Sequence, residues 1–119
     1  MPKVGLFYCK RIQDHSCIGC IKCYKGAKEK NGEFSRYNDD VEIVFKTDCG
    51  DCPGLIMPRV GLVMTLAESM DMKPDVIHFA TCIKKAVDTA GCKLNIEACK
   101  EKIENMFGIP VVIGTHDYP

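Results

Sequence analysis

Four short apolar runs, each separated from the next by a stretch that reads as helix or loop, constrain this chain more than any other feature. They are Val4-Gly5-Leu6-Phe7-Tyr8, Val41-Glu42-Ile43-Val44-Phe45-Lys46-Thr47, Val76-Ile77-His78-Phe79-Ala80 and Val111-Val112-Ile113-Gly114. β-branched and aromatic residues fill them, as strands prefer. The first is continuously apolar, which predicts a strand covered on both faces. A helix is expected over roughly 17–28, capped by Asp14 or Ser16. The turn signal Asn31-Gly32 follows it. A second helix is expected over roughly 58–70, with Pro58 at its first position and Lys73-Pro74 as its stop. Its apolar face is Val60, Val63, Met64 and Ala67. A short helix over roughly 83–89 closes at Gly91. The last helix, 96–107, is capped by Asn95 and ended by Gly108 and Pro110. Ile96, Cys99, Ile103, Met106 and Phe107 share one of its faces.

Strands that alternate with helices predict an α/β fold: a three-layer sandwich of about four parallel strands with helices on both faces. Right-handed crossovers and the order 2-1-3-4 make this a reduced flavodoxin-like, Rossmann-like sheet. Neither a linker nor a repeat interrupts the 119 residues, so one domain is expected over 1–119.

Charge and cysteine content narrow the function. Lys and Arg total 16 and so do Asp and Glu, which leaves no basic field for nucleic acid. Lys22, Lys25, Lys28 and Lys30 stand beside Glu29 and Glu33 and read as a solvated helix face. No apolar run approaches the ~20 residues of a membrane span, and the opening residues lack the pattern of a secretory signal. Nine cysteines, an odd number, are therefore expected in a reducing cytoplasm, where clustered thiols mean metal or redox chemistry rather than disulfides.

The positions of these residues sharpen that expectation. Cys9 ends the first strand, Cys49 the second with Cys52 close behind, and Cys82 the third; His116 follows the fourth. In a parallel sheet these ends share one edge, and ligands sit outside it at the switch point, here between strands one and three. Cys49-Gly50-Asp51-Cys52-Pro53-Gly54 is a Cys-x-x-Cys loop, a spacing that serves a soft or borderline cation or a dithiol redox pair. Cys17, Cys20 and Cys23 are similar to the Cys-x2-Cys-x2-Cys run of ferredoxin-type iron–sulfur sites, without the following x3-Cys-Pro. On a helix the outer two diverge by ~120°, so Cys17, nearest the helix start, is the one expected to join the site. Cys20 and Cys23 are divided between core and ligand roles. His116 reads as a ligand or base, His15 as a residue near the site, His78 as a satisfied core histidine and Cys99 as a core thiol. A Gly-rich phosphate loop, a Cys-x5-Arg phosphatase loop and a serine nucleophile elbow are all lacking, so no catalytic residue is assigned.

Cys9, the run Gly19-Cys20-Ile21-Lys22-Cys23, Gly32-Glu33-Phe34 with Tyr37, Cys49-Gly50-Asp51-Cys52-Pro53-Gly54, His78-Phe79-Ala80-Thr81-Cys82-Ile83 and Gly114-Thr115-His116 together resemble the CGGC-domain family, small prokaryotic α/β proteins. The match runs across nearly the whole chain. Asp51 stands where the family usually has glycine, and Cys92 is followed by Lys93 rather than the proline often seen. The resemblance implies metal binding, zinc first, with no established reaction. The expected ligands are Cys9, Cys17, Cys49, Cys52, Cys82 and His116, with Cys20, Cys23, Cys92 and His15 as additional candidates. Six ligands exceed the four of a closed zinc site, which would suit a binuclear site, an iron–sulfur cluster or a metal that exchanges ligands. The alternatives are a thiol–disulfide oxidoreductase or redox sensor using Cys49 and Cys52, and an adaptor that stores or delivers metal to a protein partner for which the sequence holds no motif.

Overall fold

The computed structural model describes residues 3–8, 21–38, 40–48, 56–83 and 96–115. Their elements run β1 (Lys3–Tyr8), α1 (Ile21–Glu29), a 3-10 helix (Gly32–Arg36), β2 (Glu42–Asp48), α2 (Ile56–Ser69), β3 (Val76–Phe79), α3 (Ile96–Phe107) and β4 (Val111–Ile113). The four strands form one parallel sheet in the order β2-β1-β3-β4. This is the expected α/β architecture and strand order.

Alternation along the strands builds two layers on the sheet. Val4, Val76 and Val112 pack with Ala27 of α1 and Phe34 of the 3-10 helix on one face. Phe7, Ile77, Phe79 and Val111 belong to the larger cluster, with Val60 and Met64 of α2 and Ile96, Cys99 and Ile103 of α3. Phe7 meets Phe45 and Phe79 edge-on, at centroid distances of 5.8 and 6.1 Å, the arrangement that aromatic quadrupoles favour.

Several boundaries differ from expectation for physical reasons. Helix α2 begins at Ile56, two residues before Pro58, which still lies in the first turn, where an amide lacks an intrahelical acceptor. It ends at Ser69, well before Lys73-Pro74. Asp71 adopts φ 57°, its N–H reaches the Glu68 carbonyl and the Met72 N–H reaches that of Ala67, a Schellman cap with a non-glycine residue in the left-handed position. Helix α1 closes the same way on Lys30 (φ 55°), and α3 closes on Gly108 (φ 66°) as the sequence predicts. Met106, assigned to the buried face of α3, is 68% exposed. It lies ~60° around the axis from Ile103, and Phe107 takes the packing position. The 3-10 helix, absent from the expectation, continues the turn at Asn31-Gly32. The chain is helical at 81–83, two residues before the expected start. The caps expected at Asp14, Ser16 and Asn95, and the rest of the helices expected over 17–28 and 83–89, lie outside the described residues.

Both rims of the sheet are modified. Register slips between Val4 and Gly5, so Val44 is an extra residue on β2, a bulge on an edge strand. The Phe45 ring lies directly over Gly5, 2.4 Å from where a Cβ would stand. On the opposite rim the Glu104 carboxylate accepts the Val111 N–H at 3.1 Å.

Candidate metal site at the carboxyl edge

The strands end at Tyr8, Asp48, Phe79 and Ile113, and parallel pairing brings these ends to one edge. Tyr8 is in register with Asp48, and Phe79 with both Phe7 and Ile113. Strand order reverses between β1 and β3, the position where open α/β sheets bind ligands. Cys9 and Cys49 follow β1 and β2 by one residue in the sequence, and His116 follows β4 by three. Cys9, Cys17, Cys49, Cys52 and His116, with Cys20, Cys92 and His15, lie outside the described residues. Among the described residues no group of three or more His, Cys, Asp and Glu side chains gathers as a metal cluster.

Three cysteines are described, all buried and none in a disulfide. Cys82 sits in the helical segment 81–83 after β3 and is 5% exposed. Cys23, on α1, places its Sγ 3.3 Å from Thr115 Oγ1. Cys99 lies in the core on α3, and burial pushes its thiol up from the ordinary range; it is the core thiol the sequence predicts.

Thr115 joins three segments here. Its N–H donates to Thr81 Oγ1 at 3.0 Å, and the Thr81 N–H donates back to Thr115 Oγ1 at 3.2 Å. Its carbonyl accepts the Glu33 N–H at 2.8 Å. The two hydroxyl oxygens are 3.3 Å apart. A hydroxyl donates once and accepts twice, and this arrangement serves Cys23 in either protonation state. A Cys23 thiol donates to Thr115 Oγ1 while the Thr115 hydroxyl donates to Thr81. A thiolate accepts the Thr115 hydroxyl proton while the Thr81 hydroxyl donates to Thr115. The two states differ in the orientation of both hydroxyls and in the proton on sulfur.

His78 is wholly buried on β3. Its Nδ1 lies 2.9 Å from the Gly114 carbonyl, which only accepts, so Nδ1 carries the proton. Nε2 then accepts from the Tyr37 hydroxyl at 2.6 Å. The Phe34 ring stacks on the imidazole at 4.9 Å. Both nitrogens are engaged inside the fold, so His78 is the satisfied core histidine predicted and not a ligand. Desolvation pulls its pKa below the ordinary histidine value, and the bond to Gly114 opposes this in part. Desolvation also raises the Tyr37 phenol.

On the β1–β2 side, the Lys46 ammonium stands 5.1 Å from the Tyr8 ring and 5.4 Å from the Tyr24 ring, within cation–π range. Asp48 pairs with Arg59 at 3.4 Å. Sequence reasoning assigned no role to Thr81, Thr115, Tyr37 or Lys46. The available signal for the threonines was their position, one residue ahead of a candidate ligand at two strand ends.

The sequence profile of the CGGC domain matches residues 3–116. The chain belongs to the CGGC-domain family. An uncharacterized protein of Methanocaldococcus jannaschii is similar to this CGGC-domain protein, 37% identical over an alignment of 118 residues that covers 96% of this chain and 86% of the relative. No solved structure matches it. Among the described residues no helix is long and apolar enough to cross a membrane.

Proposed function

We propose that this CGGC-domain protein binds a soft or borderline metal ion, zinc first, at the carboxyl edge of its sheet. Cys9, Cys49, Cys52, Cys82 and His116 are the proposed ligands, with Cys17 as a further thiol and Cys20, Cys23, Cys92 and His15 at the margin. What carries the reading is the parallel 2-1-3-4 sheet: its strands end on the edge to which the sequence assigns these residues. The buried Cys82 thiol, three residues past the end of β3, agrees with it. The donor set is rich in thiolate with one imidazole, which fits zinc or an iron–sulfur cluster and not a hard cation. A bound ion would keep the thiols deprotonated and act there as a Lewis acid. The proposed setting is a reducing cytoplasm, the chain acting as one domain without nucleic-acid or membrane partners.

The test is elemental analysis and a visible spectrum on protein purified without oxygen. Stoichiometric zinc in a colourless protein is the expected result, and a coloured protein with iron and sulfide would shift the reading to a cluster. Colourless protein without stoichiometric metal overturns it. The Cys-x-x-Cys spacing supports a second reading, a redox dithiol at Cys49 and Cys52. That reading requires reversible dithiol–disulfide cycling that Cys52→Ser abolishes while metal content stays normal.

A further inference from the structure

Thr81 and Thr115 stand immediately before Cys82 and His116, two proposed ligands that follow the neighbouring strands β3 and β4 in the sequence, and they bind each other reciprocally. We propose that this threonine clasp is a positioning device that sets the spacing of Cys82 and His116, and with it the affinity for the ion; it rests on the metal-binding reading above.

The clasp is unusually well secured. The Gly114 N–H reaches the Phe79 carbonyl at 2.7 Å, and the Gly114 carbonyl accepts from His78 Nδ1. The Thr115 N–H goes to Thr81, and its carbonyl takes the Glu33 N–H. Every backbone polar group of residues 114 and 115 is thus bonded, in the two residues directly ahead of His116. Thr115 is 1% exposed, so its hydroxyl is placed there at a desolvation cost that only these bonds offset. Valine at position 115 would fill the same volume but leave the Thr81 N–H without its acceptor. Bonds that fix the backbone directly ahead of a ligand restrict where its side chain can reach, and restraint of that kind tunes metal affinity. Cys23 adds a third contact, its Sγ 3.3 Å from Thr115 Oγ1.

The experiment is anaerobic titration of the full chain with Co²⁺ and then Zn²⁺, in competition with a chromophoric chelator, on the wild type, Thr115→Val and Thr115→Ser. Thermal unfolding of the apo proteins is recorded in parallel. Thr115→Val is expected to bind about 10–100-fold more weakly, with weakened thiolate-to-cobalt absorption, and Thr115→Ser to restore both. Thr81→Ala, at the less buried partner, carries the same expectation and serves if Thr115→Val does not fold. A folded Thr115→Val or Thr81→Ala with wild-type affinity and cobalt spectrum overturns the proposal, whatever its melting temperature. A wild type that takes up neither ion overturns the metal-binding reading itself, a result distinct from tight wild-type binding that the variants leave unchanged.

Discussion

His78 sits at the centre of a short chain of bonds, from the Tyr37 hydroxyl through the imidazole to the Gly114 carbonyl, with Phe34 stacked on the ring. In the neutral ring Nδ1 donates to Gly114 and Nε2 accepts the Tyr37 hydroxyl proton. Desolvation, the largest influence, holds its folded pKa below the ordinary value of ~6.5. Arg36 nearby pushes the same way, and Glu33 and the Gly114 carbonyl push against it. Below ~6.5 the unfolded chain binds a proton that the folded chain refuses, so unfolding becomes easier as pH falls through that range. Stability from this group is complete above ~6.5 and declines below it. Urea denaturation of apo protein between pH 8 and 5 is expected to show the decline in wild type and a shallower one in His78→Gln. An identical slope in both would place the acid sensitivity elsewhere. Of the single-residue roles, His78 and Cys99 were legible as core residues, since each lies within an apolar run or face. The clasp was not legible, because threonine at a strand end is unremarkable until pairing brings residues 34 positions apart into contact.

At the scale of elements, periodicity and caps decided what could be read. Helix α3 was legible to the residue, Ile96–Phe107, because an apolar face and a glycine stop agree. The end of α2 was legible to within one residue, Ser69 against an expected 70, but its stop was not, since Asp71 closes it in a conformation that sequence assigns to glycine. The 3-10 helix at Gly32–Arg36 is too short to carry a period, and the Val44 bulge leaves an apolar run looking like any other. The Asp71 cap carries its own prediction. A left-handed non-glycine residue costs ~1–2 kcal/mol of backbone strain, and Asp71 is exposed. Asp71→Gly is therefore expected to stabilise the protein by ~0.5–1 kcal/mol, the gain being reduced by glycine's greater freedom in the unfolded chain. Denaturant midpoints for the two proteins check it, and a loss of stability would mean that the Asp71 side chain serves the fold in another way.

For the whole molecule, the sheet topology was the most legible property and the contents of its carboxyl edge the least, because topology follows from the order of strands and helices while a site depends on loops. The rims add a constraint of their own. A bulged β2 offers no regular ladder to a neighbour, and Glu104 occupies the Val111 donor on β4, two ways in which edge strands avoid pairing with other chains. Glu104→Ala is expected to increase light scattering of concentrated protein relative to wild type; unchanged scattering would assign the carboxylate to local stability alone. The clasp, finally, bears on how the chain is made. Cys23 and Thr115 are 92 residues apart, and β4 is the last of the described strands. All nine cysteines leave the ribosome before Thr115 does. The sheet's carboxyl edge therefore closes only after β4 is made, and thiols synthesised early must wait for that strand before their surroundings are complete.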